Sequence, residues 1–404
     1  MLPDSPLPNS PKRLPFEALL ATSLLFLLLS ILSRLPFSFE AFDPIKEVLK
    51  DFSYTDVYYA KINQSTSVDT SIVLINIGAA NRAELAALIA LTGQANPRVI
   101  ALDAYFPDRQ DAGSAQLAAA LQDNKHRLVT GTYLYEPVAG TARLVESTTG
   151  LAPGKTGYLN FVGDDSLNAT IRYFRPFYTL GATTYNSWSA AVVELADPVA
   201  YEALQRRDES EEIINYRGNI NRFVHFEGAQ ILSGKVSPAA LRDKIVILGF
   251  LGVHIGNSSS LEDLHFTPLN PKQLGRSKPD MYGPVIQANI VSMMLHKDYI
   301  NNAPVWMELL LAFVLCYLHM LLFMYLAVNH RLWGYPLIKL VQFVSGILVV
   351  YGMIQLYASA NISINTTVAV LTIVLAADIL DLYGSIVTWL HKKWGISSYV
   401  VSAN

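Results

Sequence analysis

Two apolar patterns divide the chain. Short β-branched runs at Ser71–Ile77 (SIVLINI), Arg98–Asp103, Leu128–Tyr133 and Lys244–Gly249 (KIVILG) read as buried strands. Arg82–Gln94 repeats at helical spacing, with Leu85, Leu88 and Ile89 on one face, and Gly113–Gln122 is an Ala/Leu-rich helix. This β-α-β-α-β order predicts an α/β domain with a mixed, largely parallel sheet and flanking helices. Residues 136–156 carry no period and read as a loop or an edge hairpin. Gly157–Val162 and Ile171–Phe177 read as strands around the turn GDDSLNA, and Tyr185–Ala196 as a helix. Ala200–Glu212 is charged and reads as solvated, Ile213–Tyr216 as a strand, and Val285–His296 as an amphipathic helix.

The second pattern is long. Runs at 16–35, 304–328, 336–358 and 366–390 each come near the ~20 residues that cross a bilayer core. The expected architecture is therefore an α/β domain plus four transmembrane α-helices. The first run is longer than the ~7–15 residues of a signal-peptide core and lacks a clear small-x-small cleavage site. It reads as an uncleaved anchor.

Composition agrees: 51% of the 404 residues are hydrophobic and 16% charged, whereas soluble domains run near ~25% charged. A net charge of -3 gives no footprint for nucleic acid. Cys316 is the single cysteine, which excludes an internal disulfide and a cysteine metal cluster.

Basic residues set the expected orientation. Lys12 and Arg13 precede the first run, His330 and Arg331 lie between the second and third, and His391, Lys392 and Lys393 follow the fourth. The positive-inside rule then places residues 1–15, 329–335 and 391–404 in the cytoplasm and 36–303 and 359–365 outside it. The expected location is a bacterial inner membrane, with 36–303 periplasmic.

Five stretches then carry a family resemblance: PRVIALDAYF at 97–106, GYLNFVGDDSLNATIRYFRPF at 157–177, INYRG at 214–218, LRDKIVILG at 241–249, and LHFTPL with YGPVIQANIVSMML within 264–295. Together they resemble the second class of CHASE domains, the cyclases/histidine kinases associated sensory extracellular family. The layout of one span, an outer domain and three further spans is similar to that family as well. The resemblance implies an extracytoplasmic sensory domain. Members usually carry acids after the first strand, where this chain has Asn76-Ile77-Gly78-Ala79-Ala80. Members also commonly continue into an output domain after the last span. The expectation here is that the signal passes to another protein.

Candidate site residues follow from chemistry. Asp103 ends a strand, and the carboxyl ends of strands in an open α/β sheet line the ligand crevice; it leads into an aromatic loop and a second acid, Asp108. The alternative is that Asp103 holds that loop. Asn215 and Arg217 follow a strand, and Arg217 can fork onto a carboxylate or phosphate or pair with Asp103 or Asp243. Asp263, His265 and Thr267 fall on one face of an extended segment. His225 or His254 would be needed to complete a metal set, and ordered loop packing is the plainer reading. Hydrolase, zinc-protease and P-loop templates are absent, and Gly249, Gly252 and Gly256 have the wrong spacing for a dinucleotide loop. No enzyme, cofactor or resident metal is expected.

Asp378 and Asp381 lie inside the fourth run, where acids are costly unless paired. Counting residues from the membrane faces brings His319 level with Asp378, and Lys339 within reach of Asp381. These four are expected to act as polar coupling, within the chain or to a partner, rather than as a transport path. The functional expectation is a membrane receptor-like subunit whose outer domain binds a small molecule or a protein. It passes that state through its spans to a separate membrane or cytoplasmic protein, or through a homo-oligomer. The alternative is a structural subunit of an envelope complex.

Overall fold

A computed structural model describes residues 12–34, 54–59, 67–106, 112–135, 142–145, 151, 153–162, 169–256, 263–270, 278–330 and 332–401. The chain divides into two compact units, 47–300 and the remainder. The acid at 108, most of the GDDSLNA turn and the arginine at 331 lie outside the described residues.

The first unit is the α/β domain. Its main strands are β1 (Asp69–Asn76), β2 (Val99–Leu102), β3 (Leu128–Tyr135), β4 (Arg143–Val145), β5 (Lys155–Tyr158), β6 (Phe223–Glu227) and β7 (Ile245–Gly249). They form one sheet in the order β6-β1-β7-β2-β3-β4, with β5 also beside β3. All pairings are parallel except β3 with β4. β4 turns part of the unpatterned 136–156 stretch into an edge hairpin.

Each central strand is buried on both faces, which explains its unbroken apolar run. Val73, Ile75, Ile100, Leu102, Val246 and Leu248 face one core. Opposite them pack Leu85, Leu88 and Ile89 of α2 (Arg82–Gln94), Leu117 and Leu121 of α3 (Ser114–Asp123), and Ile231 of a later short helix. Asn81 starts α2 with a capping box to Glu84.

The other sheet face is covered by α4 (Trp188–Ala196) and α7 (Gly283–His296). Between them in the chain lie α5 (Pro198–Gln205) and α6 (Gly228–Leu232). The charged 200–212 stretch is therefore half helical, because Asp197 caps α5 through the Val199 and Ala200 amides. The helix expected from Tyr185 starts at Trp188, where Ser187 caps it; Thr183–Asn186 pairs instead with Phe177–Leu180 as a hairpin. Pro176 breaks the expected 171–177 strand into Tyr173–Phe174 and that hairpin. Of the expected strand Ile213–Tyr216 only Ile213 pairs, in a two-residue strand Glu212–Ile213 against Tyr173–Phe174.

The second unit contains four helices long and apolar enough to cross a membrane: α1 (Leu14–Leu32), α8 (Val305–Asn329), α9 (Gly334–Ala360) and α10 (Thr367–Trp394). Ala18, Ala21 and Leu25 of α1 meet Cys316, Met320, Phe323 and Met324 of α8 and Ala376, Ala377 and Leu380 of α10 in one core. Alanines at these contacts let the backbones approach closely. α9 contributes little beyond Ile338 to that core. Its amide Gln342 Nε2 donates to the carbonyls of Ile373 and Val374 at 2.9 Å each. The C-terminal segment folds back on α1: buried Glu17 accepts from Ser398 Oγ and the Tyr399 amide, both at 2.6 Å, and Arg13 reaches the Ser397 carbonyl at 2.5 Å.

Candidate functional site

The carboxyl edge of the sheet is built by the ends of β1, β2, β6 and β7. Asn76, the last residue of β1, ties three of them together. Its Nδ2 donates to Glu227 Oε2 at 2.9 Å and to the Gly252 carbonyl at 3.0 Å. Its Oδ1 accepts from the amides of Leu251 at 2.9 Å and Gly78 at 3.0 Å. Glu227 in turn accepts from the Ile255 amide at 2.6 Å. This network organises the loop after β7 and uses both ends of the Asn76 amide. A carboxylate at 76 could not donate to Glu227 and would repel it.

Asp103 follows β2 on the sheet face that α7 covers. A Cβ built on neighbouring Gly249 would lie 3.3 Å from the Asp103 Cβ and 2.4 Å from Pro284 in the first turn of α7. Glycine at 249 thus lets strand and helix terminus close together. The Asp103 amide is held by the Leu248 carbonyl at 2.9 Å. Its carboxyl group, half-buried, makes no hydrogen bond or ion pair among the described residues. Burial first, and then the negative charge of Asp263, push this carboxyl up to about 8, with His265 opposing.

Asp263 and His265 converge on the same place. His265 Nε2 stands 3.7 Å from Asp263 Oδ1 and its ring meets Phe161 edge-on at 5.3 Å. The Asp263 carbonyl accepts from the Gly283 amide at 3.2 Å, and its carboxylate lies against Gly283 at the start of α7. An anion there is favoured by the helix dipole. Tyr282, just before α7, has a buried hydroxyl without a hydrogen-bond partner among the described residues. Two carboxyl groups, an imidazole and a phenol thus gather beside one helix terminus. No group of three metal-ligating side chains forms among the described residues.

The structure separates the other candidates from this group. Thr267 is buried, and its hydroxyl donates to Asp280 Oδ2 at 2.6 Å, fixing a loop. Burial lifts Asp280 to about 6, and the Thr267 and Asn270 hydrogen bonds oppose the rise. Asp263 does not share an extended face with His265 and Thr267, because its backbone is left-handed, with φ 58°. Asn215 accepts from Tyr59 at 3.2 Å and donates to the Asp298 carbonyl at 3.0 Å. Arg217 pairs with neither Asp103 nor Asp243: its amide reaches Asn289 Oδ1 at 2.8 Å and its Nε reaches Ser292 Oγ at 3.0 Å. Ser292 donates onward to buried Asp69 at the amino end of β1, at 2.6 Å. Burial alone would raise Asp69, but hydrogen bonds from Ser292 and Ser71 hold it below its ordinary value. Asn215 and Arg217 thus brace the C-terminal half of α7 at the opposite sheet edge. His225 turns its Nδ1 to the Phe223 carbonyl at 3.0 Å on the edge strand β6.

In the helical unit the expected pairs do not form. α10 buries Ala369, Thr372, Ile373, Ala376, Ala377, Leu380, Tyr383 and Val387, a stripe at helical spacing that leaves Asp378 and Asp381 off the packed face. His319 is buried and bonds back to the Leu315 carbonyl at 2.7 Å, with its ring against Phe323. Lys339 is exposed and lies over the Tyr335 ring at 5.4 Å. Asp381 opens into a cavity of about 760 Å³ whose lining includes Tyr335, Leu380, His330 and Lys392. Polar contact between α9 and α10 falls to Gln342, and that between α1 and the C-terminal segment to Glu17. Both were legible as polar residues inside apolar runs, although their partners, backbone groups above all, leave no sequence signal.

An open, largely parallel α/β sheet is joined in one chain to four helices long and apolar enough to cross a membrane. The family model for the CHASE2 domain matches residues 20–322. The chain belongs to the CHASE2 domain family. Comparison with curated proteins and with solved structures returned no match.

Proposed function

We propose that this protein is a receptor-like membrane subunit that binds a small, hydrogen-bond-donating molecule at Asp103 and transmits its occupancy through α7. The observation that carries the reading is the Asp103 carboxyl, half-buried and without a partner among the described residues, beside the first turn of α7. A buried polar group left unsatisfied is costly, and a donor from a bound molecule removes that cost. Asp263 and the Tyr282 hydroxyl supply further contacts beside the same helix terminus. Residues 297–304 alone separate α7 from α8 in the chain, so a shift of α7 has a covalent route into the second span. The signal is then read by a separate protein in or under a bacterial inner membrane, with both termini cytoplasmic.

A scaffold that grips another protein would be expected to fill this crevice with Tyr105, Phe106 and Phe250. Phe106 instead packs in the core under α2 and α3, and this supports the small-molecule reading.

The test is thermal unfolding of the full-length protein in lipid nanodiscs against a panel of amines, amino acids and polyols, beside Asp103→Asn and the remote control Asn215→Ala. Saturable stabilisation of wild type and control, lost in Asp103→Asn, is the expected result. Stabilisation that survives in Asp103→Asn, or none with any compound, removes Asp103 from the role.

A further inference from the structure

The outward face of α10 is inconsistent with a bundle that meets only lipid. Asp378 is exposed, flanked by Leu371, Val374 and Leu382 at 42%, 52% and 42% exposure. It makes no ion pair or hydrogen bond among the described residues. Membrane acids are tolerated where they face protein, water or a counter-charge, so this face calls for a cover that brings a cation.

The chain carries such a cation at the same level. Gln342 bonds to the carbonyls of Ile373 and Val374, which registers α9 against α10. From there toward the end of the bundle that carries His330 and Lys392, Lys339 is three residues along α9. Asp378 is four or five along α10. At ~1.5 Å rise per residue the two lie within about two residues, or ~3 Å, of equal depth. Lys339 has no carboxylate partner among the described residues, and around it α9 exposes Leu340 (57%), Phe343 (70%) and Ile347 (54%). Of the four long helices α9 is the least covered, with 17% of its apolar window buried.

We infer that a second copy of this chain covers this face, with Asp378 on α10 of one copy paired to Lys339 on α9 of the next. Copies in one membrane share an orientation, so groups at equal depth are the ones that meet. A contact between two different faces of the same chain repeats from copy to copy and forms a ring where its rotation closes. The pair neutralises an acid and a base that each copy leaves unpaired, and it covers apolar surface on both helices. This assembly stands independently of any role for Asp103.

The test uses full-length chains in a Cys316→Ala background, which removes the single native thiol. Two differently tagged copies, one Asp378→Cys and one Lys339→Cys, are co-expressed, and their membranes are treated with a lipid-soluble oxidant. The expected product is a dimer carrying both tags, at least tenfold more abundant than dimers of either copy with itself. As a second reading, Asp378→Lys and Lys339→Asp alone should each reduce the native particle mass in nanodiscs, and co-expression of the two should restore it. A wild-type particle of one chain overturns the inference. So does a double-cysteine chain that closes its own bridge without forming dimers, or an adduct formed with a different protein.

Discussion

The indole Nε1 of Trp188, a residue with no exposed surface, donates to the carbonyl of Leu102 at 3.1 Å. That bond fixes the first turn of α4 to the last residue of β2, one position before Asp103. Trp188→Phe keeps most of the packing and removes this hydrogen bond. A loss of about 0.5–1.5 kcal/mol is expected, measurable as a lower urea midpoint, together with weaker binding of any molecule held by Asp103.

Asp103 should give the protein a pH-dependent stability of unusual sign for an acid. Its carboxyl titrates near 8 when folded and near its ordinary 3.8 when unfolded. Between those values the folded protein keeps a proton that the unfolded chain has released, so this group makes stability fall as pH rises from 4 to 8. Asp103→Asn stays neutral throughout. Thermal melts from pH 5 to pH 9 should show the variant gaining on wild type as pH rises, by about 1 kcal/mol or more at pH 8, at ~1.4 kcal/mol per pH unit across the interval before solvent screening. Parallel curves for the two proteins would show that Asp103 titrates normally.

Asn76→Asp places a carboxylate against Glu227 and removes the donor to Gly252. The expected cost is about 2 kcal/mol at pH 7, from a lost hydrogen bond and a like-charge contact. It should shrink near pH 4, where the carboxyls take up protons. Hydrogen exchange should report faster opening at the Leu251 and Ile255 amides, which the network now holds.

Gly249→Ala drives a methyl group into Pro284, 2.4 Å away. Overpacking of this kind costs about 1–3 kcal/mol. Because the clash falls on the first turn of α7, spectroscopic probes on α7 should report displacement that the same substitution at exposed, uncrowded Gly234 does not cause, beyond the strain of its positive φ.

Glu17→Ala removes the acceptor that holds Ser398 and the Tyr399 amide. The C-terminal segment should then be cut by added carboxypeptidase at least tenfold faster than in wild type, with the four long helices retained by circular dichroism.

Patterning by itself determined the large features. Strands buried on both faces must be continuously apolar, and bilayer-length helices must be long and apolar, so β1, β2, β7 and the four spans were legible with small errors at their ends. Capping groups shifted other boundaries: Ser187 moved the start of α4, and Asp197 drew a helix out of a charged stretch. What the tertiary structure decided was which polar residues meet. Asp103 follows β2, whereas Asp263 and His265 stand at a short antiparallel pair, Leu264–His265 with Met281–Tyr282, that leads into α7. Arg217 and Asn215 lie at the other edge, where Ser292, Asn289 and the Asp298 carbonyl occupy them. In the helices, depth could be counted from the sequence, but azimuth could not. The facing stripe of α10 is set by what packs against it, and it turned Asp378 outward while His319 turned in.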